Sequence, residues 1–227
     1  MPYNDFQQAI GHFTQGSYPQ IDRLTGYYTI VEPVSVEDHL DDAYRFYGPD
    51  SVPEQWTYLP IDGFKDIKTF QTYFEMMETS RDPYYLAIKD KATQKVLGTF
   101  SLMRIDTKNR LAEMGWVLYS PQLKQSRQAT EAQFLVMAYV FDVLHYRRYE
   151  WKCDSLNHAS VHAAKRLGFQ YEGTFRKAAV YKQRSRDTAW FSMIDDDWHS
   201  MKAKFEKWLL PTNFDDQGRQ LKPLGAC

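Results

Sequence analysis

Cysteine is nearly missing from this chain: there are two in 227 residues, Cys153 inside an apolar-aromatic run and Cys227 at the last position. A structural disulfide between them is not expected. None is needed, because folding a domain of this size removes roughly 70–75% of the unfolded surface from water. Net charge is also scarce. Twenty-eight Lys and Arg stand against 29 Asp and Glu, with the signs interspersed. No basic face exists to build the electrostatic footprint of a nucleic-acid binder or to draw the chain to an anionic membrane. Long hydrophobic runs are lacking too, since no stretch reaches the ~18 apolar residues that span a bilayer. The opening MPYNDFQQAIGHF has neither the basic nor the apolar segment of a secretory signal. The expectation is a soluble cytoplasmic protein, monomer or homodimer. Metal-ligand patterns are absent as well. His158 and His162 are four apart on an expected helix, but neither His145 nor any other residue supplies a credible third ligand, so no metal is expected. Aromatic residues, by contrast, are plentiful: 16% of the chain, with six Trp and sixteen Tyr. That points to a large core or an aromatic-lined pocket.

The chain shows no repeat, low-complexity run or linker, and reads as one α/β domain with a mixed, mostly antiparallel twisted sheet flanked by helices. Residues 1–25, polar and punctuated by Gly and Pro, read as a surface extension, and 211–227 as a tail. GYYTIVEPV predicts a strand stopping at Pro33. SVEDHLDDAYRFYG predicts a helix capped by Ser35 and closed by Gly48. SVPEQWTYLP reads as a loop. Ile67, Phe70, Phe74 and Met77 repeat at helical spacing ahead of Asp82-Pro83. PYYLAIKD, KVLGTFSLMRID and LAEMGWVLYS, joined by KATQ and TKNR, predict an antiparallel meander. A helix apolar around nearly its whole circumference is expected from Arg127 to His145, packed on the sheet. Then come strand RRYEWKCD, a short helix in NHASVHAAKRLGF ended by Gly168, antiparallel strands QYEGTFRKAAVY and DTAWFSMIDDD, and a C-terminal helix in DWHSMKAKFEKWLL.

One stretch carries chemistry. LKQSRQATEA, residues 123–132, stands between a strand and the apolar helix. A strand-turn-helix of this kind presents free backbone N–H groups to an anion at the helix N-terminus. Taken alone, Lys124 and Arg127 are equally readable as solvated turn charges.

The order of elements, with WTYLP (56–60), EMGW (113–116), ATEA (129–132), NHAS (157–160), RLGF (166–169) and YEGTFR (171–176), resembles the Gcn5-related N-acetyltransferases over roughly residues 25–200. Within them it is similar to the branch that acetylates N-terminal amines of ribosomal proteins. The resemblance implies an N-acetyltransferase domain over 26–210. It also implies transfer of an acetyl group from acetyl-CoA to a primary amine, a protein N-terminus or a small molecule, by direct attack in a ternary complex. In the family, a turn with a basic or Gln residue, Gly at the fourth position and Gly or Ala at the sixth holds the coenzyme A pyrophosphate. Here it falls on Lys124, Gln125, Ser126, Arg127, Gln128 and Ala129, followed by Thr130. Arg127 stands where Gly is usual. It gives up backbone freedom and offers a guanidinium that can pair with phosphate.

By the same resemblance, backbone groups near Trp116, Val117 and Leu118 pair with pantetheine and polarise the thioester. Glu113 is the candidate base, its pKa open to elevation by desolvation; the other reading is a strand glutamate paired with Arg104 or Arg110. Ser160 is the candidate acid at the sulfur and Asn157 a coenzyme contact, unless both only cap the short helix. Trp56 and Tyr58 either clamp the acceptor or cover the core. Arg176, with Arg186 and Asp187, either reads a charged group on the acceptor or is solvated. Two positions depart from the family: Ala164 stands where many members carry a Tyr acid, and Ala179 where the ribosomal-protein branch has a glutamate. The alternative class is a catalytically inactive acyl-CoA-binding or interaction module on the same fold.

Overall fold

In chain order, the computed structural model places β1 (Leu24–Thr25), β2 (Thr29–Pro33), α1 (Val36–Tyr47), α2 (Ile67–Thr79), β3 (Tyr84–Asp90), β4 (Val96–Asp106) and β5 (Leu111–Tyr119). After these come α3 (Arg127–Ala138), β6 (Arg148–Asp154), α4 (His158–Arg166), β7 (Gln170–Tyr181), β8 (Arg184–Ile194) and α5 (Asp195–Leu209). The described residues are 12–227, so the expectation of a surface extension for residues 1–11 lies outside them. The strands form one sheet in the order β1-β2-β3-β4-β5-β6-β8-β7, antiparallel throughout except at β5-β6. The expected meander is β3-β4-β5. Among the described residues no helix is long and apolar enough to cross a membrane.

Side-chain alternation along β3 divides the core. Leu86 and Ile88 join one cluster, under α3 and α5, while Tyr85 and Ala87 join a second, under α1 and α2. A strand covered on both faces needs an unbroken apolar run, which YYLAI supplies. Local chemistry fixes the helix ends. Ser35 Oγ accepts from Asp38 N at 3.2 Å, Asp66 Oδ1 from Thr69 N at 2.9 Å, and the Gly48 N–H returns to the Tyr44 carbonyl at 2.7 Å.

Three boundaries differ from the sequence expectation. The helix expected to reach His145 is α-helical only to Ala138. It widens into one π-helical turn over Tyr139–Val143, which buries Val140 and leaves Val143 exposed. β8 starts at Arg184, earlier than Asp187, because Lys182 and Gln183 both take left-handed φ (49° and 59°). They close a two-residue hairpin loop between the partners Tyr181 and Arg184. β8 also ends at Ile194, where α5 begins.

Both ends of the described residues lie against the domain. Ile21 joins the core under α3, and Tyr146 donates its hydroxyl to the Ser17 carbonyl at 2.9 Å. Past α5, Phe214 and Gln220 form a β-bridge. Asn213 is buried, donating to the carbonyls of Trp208 and Lys222, and Leu224 reaches the core.

Candidate active site

The site begins where the sheet comes apart. β5 and β6 run parallel and pair from Leu111–Arg148 to Met114–Trp151. Past that point β6 stays with β8 as far as Asp154–Thr188, and β5 turns away. A bulge produces the turn. Thr99 pairs with Leu118 and Ser101 with Gly115, so Trp116 and Val117 together oppose Phe100. Trp116 holds a left-handed φ of 50°, uncommon for a bulky residue, with its ring 6.2 Å from that of Tyr85. Backbone groups of β5 beyond Met114 therefore face the gap without a ladder partner on β6. The gap widens into a cavity of about 1380 Å³, to which Trp116, Val117 and Leu118 all contribute.

One end of the cavity is the start of α3. Ser126 is the N-cap, its Oγ accepting from Ala129 N at 3.1 Å, and Gln125 turns the chain with φ 58°. The N–H groups of Arg127 and Gln128, in the first turn, have no intrahelical acceptor. Lys124, Gln125, Ser126, Arg127, Gln128, Ala129 and Thr130 all line the cavity. The Arg127 guanidinium lies 4.1 Å from the Tyr28 ring centroid and 5.4 Å from that of Phe214. It is thus stacked toward the C-terminal segment.

At the closed end of the gap, Glu113 and Glu150 are register partners on the parallel strands. Adjacent carboxylates repel, and Lys152 sits between them, with Nζ 2.8 Å from Glu113 Oε2 and 2.5 Å from Glu150 Oε2. The Lys152 ammonium also lies 3.8 Å from the Trp190 ring centroid. Arg104 Nε approaches the same Glu113 oxygen at 3.3 Å, while Arg110 instead donates to Thr14. Burial pushes the Glu113 carboxyl above the ordinary glutamate range, and Lys152 and Arg104 only partly pull it back. Both cations contact Oε2, which leaves Oε1 for a proton. Lys152 was not foreseen, because its partner is on another strand and only the register brings them together.

On the opposite wall, Asn157 caps α4, Oδ1 accepting from Ser160 N at 3.1 Å. Ser160 Oγ accepts from the Trp151 indole N–H at 2.9 Å. That bond occupies a lone pair and leaves the hydroxyl proton to be given. Both residues line the cavity. Cys153 lies beside Ser160, its thiol pushed up by burial. Ala164 is fully buried and has no hydroxyl to offer.

Tyr58 lines the cavity and donates its hydroxyl to the Leu156 carbonyl at 2.9 Å, tying the α1–α2 loop to the turn before α4. Three candidates, Trp56, Arg176 and Asp187, are not brought to the cavity. A 3₁₀ turn over Pro53–Trp56 points Trp56 inward, where it is buried near Tyr47 with its indole bonded to Ser51 Oγ. Arg176 is exposed in an irregular part of β7 between Phe175 and Ala179. Arg186, across the hairpin, lines the cavity instead and donates to Thr188 Oγ1 at 3.0 Å. The structure further adds Arg166, the first residue of RLGF, to which no role was assigned from sequence, together with Trp208 and the loop 217–220, to which no motif points.

A model of the family described as "Acetyltransferase (GNAT) domain" matches residues 29–170. The chain is 28% identical over 153 residues to a protein named "Uncharacterized N-acetyltransferase p20" from Bacillus licheniformis, covering 65% of this chain and 84% of that one. The crystal structure of a GCN5-related N-acetyltransferase from Brucella melitensis is 40% identical and superposes with a TM-score of 0.91, covering 94% of this chain and 97% of the other. A parted parallel strand pair facing an anion-type helix start, on a fold shared almost end to end, places this chain in the Gcn5-related N-acetyltransferase family of enzymes.

Proposed function

We propose that the protein transfers an acetyl group from acetyl-CoA to a primary amine, of a protein N-terminus or a small molecule, without a covalent enzyme intermediate. The observation that carries this reading is the gap between β5 and β6. It runs from the first turn of α3 to Glu113, long enough to join an anion site to a buried carboxylate. The diphosphate sits on the first-turn N–H groups beside Lys124 and Arg127, and the pantetheine arm lies along the unpaired backbone of β5.

The chemistry then follows from position. The amine nitrogen attacks the thioester carbon, and a backbone N–H in the Trp116–Leu118 bulge stabilises the oxyanion. Glu113 Oε1 takes the proton that the nitrogen loses, directly or through water. The carbon–sulfur bond breaks, and the thiolate leaves with a hydrogen bond from Ser160. Because Ala179 supplies no carboxylate, the acceptor chemistry of the ribosomal-protein branch does not carry over as it stands, and Glu113 takes the whole task. The acceptor enters under the α1–α2 loop. Tyr58 and Lys182 hold that loop, the latter donating to the Trp56 carbonyl at 2.8 Å and to Asp62 at 2.6 Å.

The test is release of free thiol from acetyl-CoA in the presence of a panel of amines, including peptides with free N-termini. Amine-dependent thiol release with mass-confirmed acetylated product is expected. No release with any amine, together with no heat on titrating coenzyme A into folded protein, overturns the reading.

A further inference from the structure

Beyond the first turn of α3 the cavity continues toward the C-terminus, where its wall is built by α4, α5 and the loop 217–220. Arg166, at the end of α4, reaches into this part. Its NH1 donates to Thr130 Oγ1 at 3.1 Å, and its guanidinium carbon lies 5.3 Å from the Trp208 ring centroid. Among the described residues no carboxylate comes within ion-pair distance of Arg166, Arg127 or Lys124. The nearby acid Asp215 is already engaged by Arg219 at 2.8 Å. Desolvation pulls the Arg166 pKa below the ordinary arginine value with no anion to offset it, yet a guanidinium stays charged. A guanidinium on a cavity wall with no carboxylate partner is available to pair with a phosphate.

The wall behind it is held in place. Trp208 Nε1 donates to Gln220 Oε1 at 2.9 Å, and Leu221 N returns to the Asn213 carbonyl at 2.7 Å. Gly218, with a left-handed φ of 73°, makes the turn that brings the loop against Arg127. Gln133, buried two helical turns into α3, lines the same cavity with its side-chain oxygen unpartnered. This end is therefore polar, cationic and walled by an indole.

Resting on the coenzyme reading above, we propose that Arg166, backed by Trp208 and the C-terminal loop 217–220, forms a second phosphate subsite. It takes the ribose phosphate monoester of coenzyme A, separate from the diphosphate at the start of α3. The subsite makes the enzyme select the fully phosphorylated coenzyme over its 3′-dephospho form.

Calorimetric titration of the full-length protein with coenzyme A and with 3′-dephospho-coenzyme A tests this. The wild type is expected to bind coenzyme A about tenfold or more tightly than the dephospho form, the range of one charge-assisted hydrogen bond. Arg166→Gln is expected to lose that preference while keeping its affinity for dephospho-coenzyme A within about twofold. Arg166→Lys, which keeps the charge, is expected to retain part of the preference. Equal binding of both molecules by the wild type, or an undiminished preference in Arg166→Gln, overturns the subsite and leaves the coenzyme reading standing. Failure of the folded wild type to bind either molecule overturns the coenzyme reading itself, and the subsite with it.

Discussion

Replacing Lys152 by Met isolates the electrostatics of the candidate base. In the wild type the ammonium lies 2.8 Å from Glu113 Oε2 and opposes the effect of burial on that carboxyl. A hydrogen bond to a charged group is worth about 1.5–3 kcal/mol, and one pKa unit corresponds to about 1.36 kcal/mol. Removing Lys152 therefore raises the Glu113 pKa further. A general base works only when deprotonated, so the direction is determined. The acidic limb of the kcat/KM profile moves to higher pH, and the rate recovers at alkaline pH. Arg104, at 3.3 Å from the same oxygen, keeps the shift from growing further. Glu150 retains Arg148 at 2.7 Å, so each of the two carboxylates loses the shared ammonium and keeps one arginine. Breaking such a buried pair costs about 3–5 kcal/mol, so the profiles are recorded below the melting temperature of the variant. The assay is initial thiol release from about pH 5.5 to 9.5, with Glu113→Gln alongside. An acidic limb that does not move in Lys152→Met refutes the reasoning, as does a Glu113→Gln enzyme that keeps the wild-type limb and rate.

Ser160→Ala is expected to lower kcat by roughly 10²-fold with coenzyme A affinity within about twofold. It also strands the Trp151 indole N–H, lowering stability by about 1–3 kcal/mol in a thermal melt. Gly98→Ala would put a Cβ 2.6 Å from Leu123 Cδ2 and 2.9 Å from the Leu118 carbonyl oxygen. Overpacking of this kind costs about 1–3 kcal/mol, to be read as a lower urea midpoint with an unchanged slope. Glu172 is held at about 2 by Arg148, whose NH1 lies 2.8 Å from its Oε1. The folded pKa is depressed, so the pair's contribution is complete above pH about 4.3 and fades as pH falls toward 2. The Glu172 side chain is 42% exposed, so Glu172→Gln should lose no more than about 1 kcal/mol at pH 7 and nothing near pH 2 in denaturant titrations.

The sequence by itself determined what depends on near neighbours along the chain. Apolar runs broken by KATQ and TKNR mark the β3-β4-β5 meander, since alternation and turn chemistry act over a few residues. Ser35 and Gly48 bound α1 because a cap is a local hydrogen bond, and Ser126 marks the start of α3 for the same reason. The Lys182–Gln183 hairpin turn lacks the glycine or asparagine that usually signals left-handed φ, so β8 reads as starting late. Whether Trp56 clamps a substrate or fills the core was not settled by a loop motif, because the answer lies in which neighbours the 3₁₀ turn presents to it. The tertiary structure alone decided that Glu113 shares Lys152 with Glu150, that Arg186 lines the cavity where Arg176 does not, and that Arg166 meets the C-terminal loop. Each of these joins residues far apart in sequence through strand register or helix packing, and the energies involved exist only once burial has stripped the groups of water.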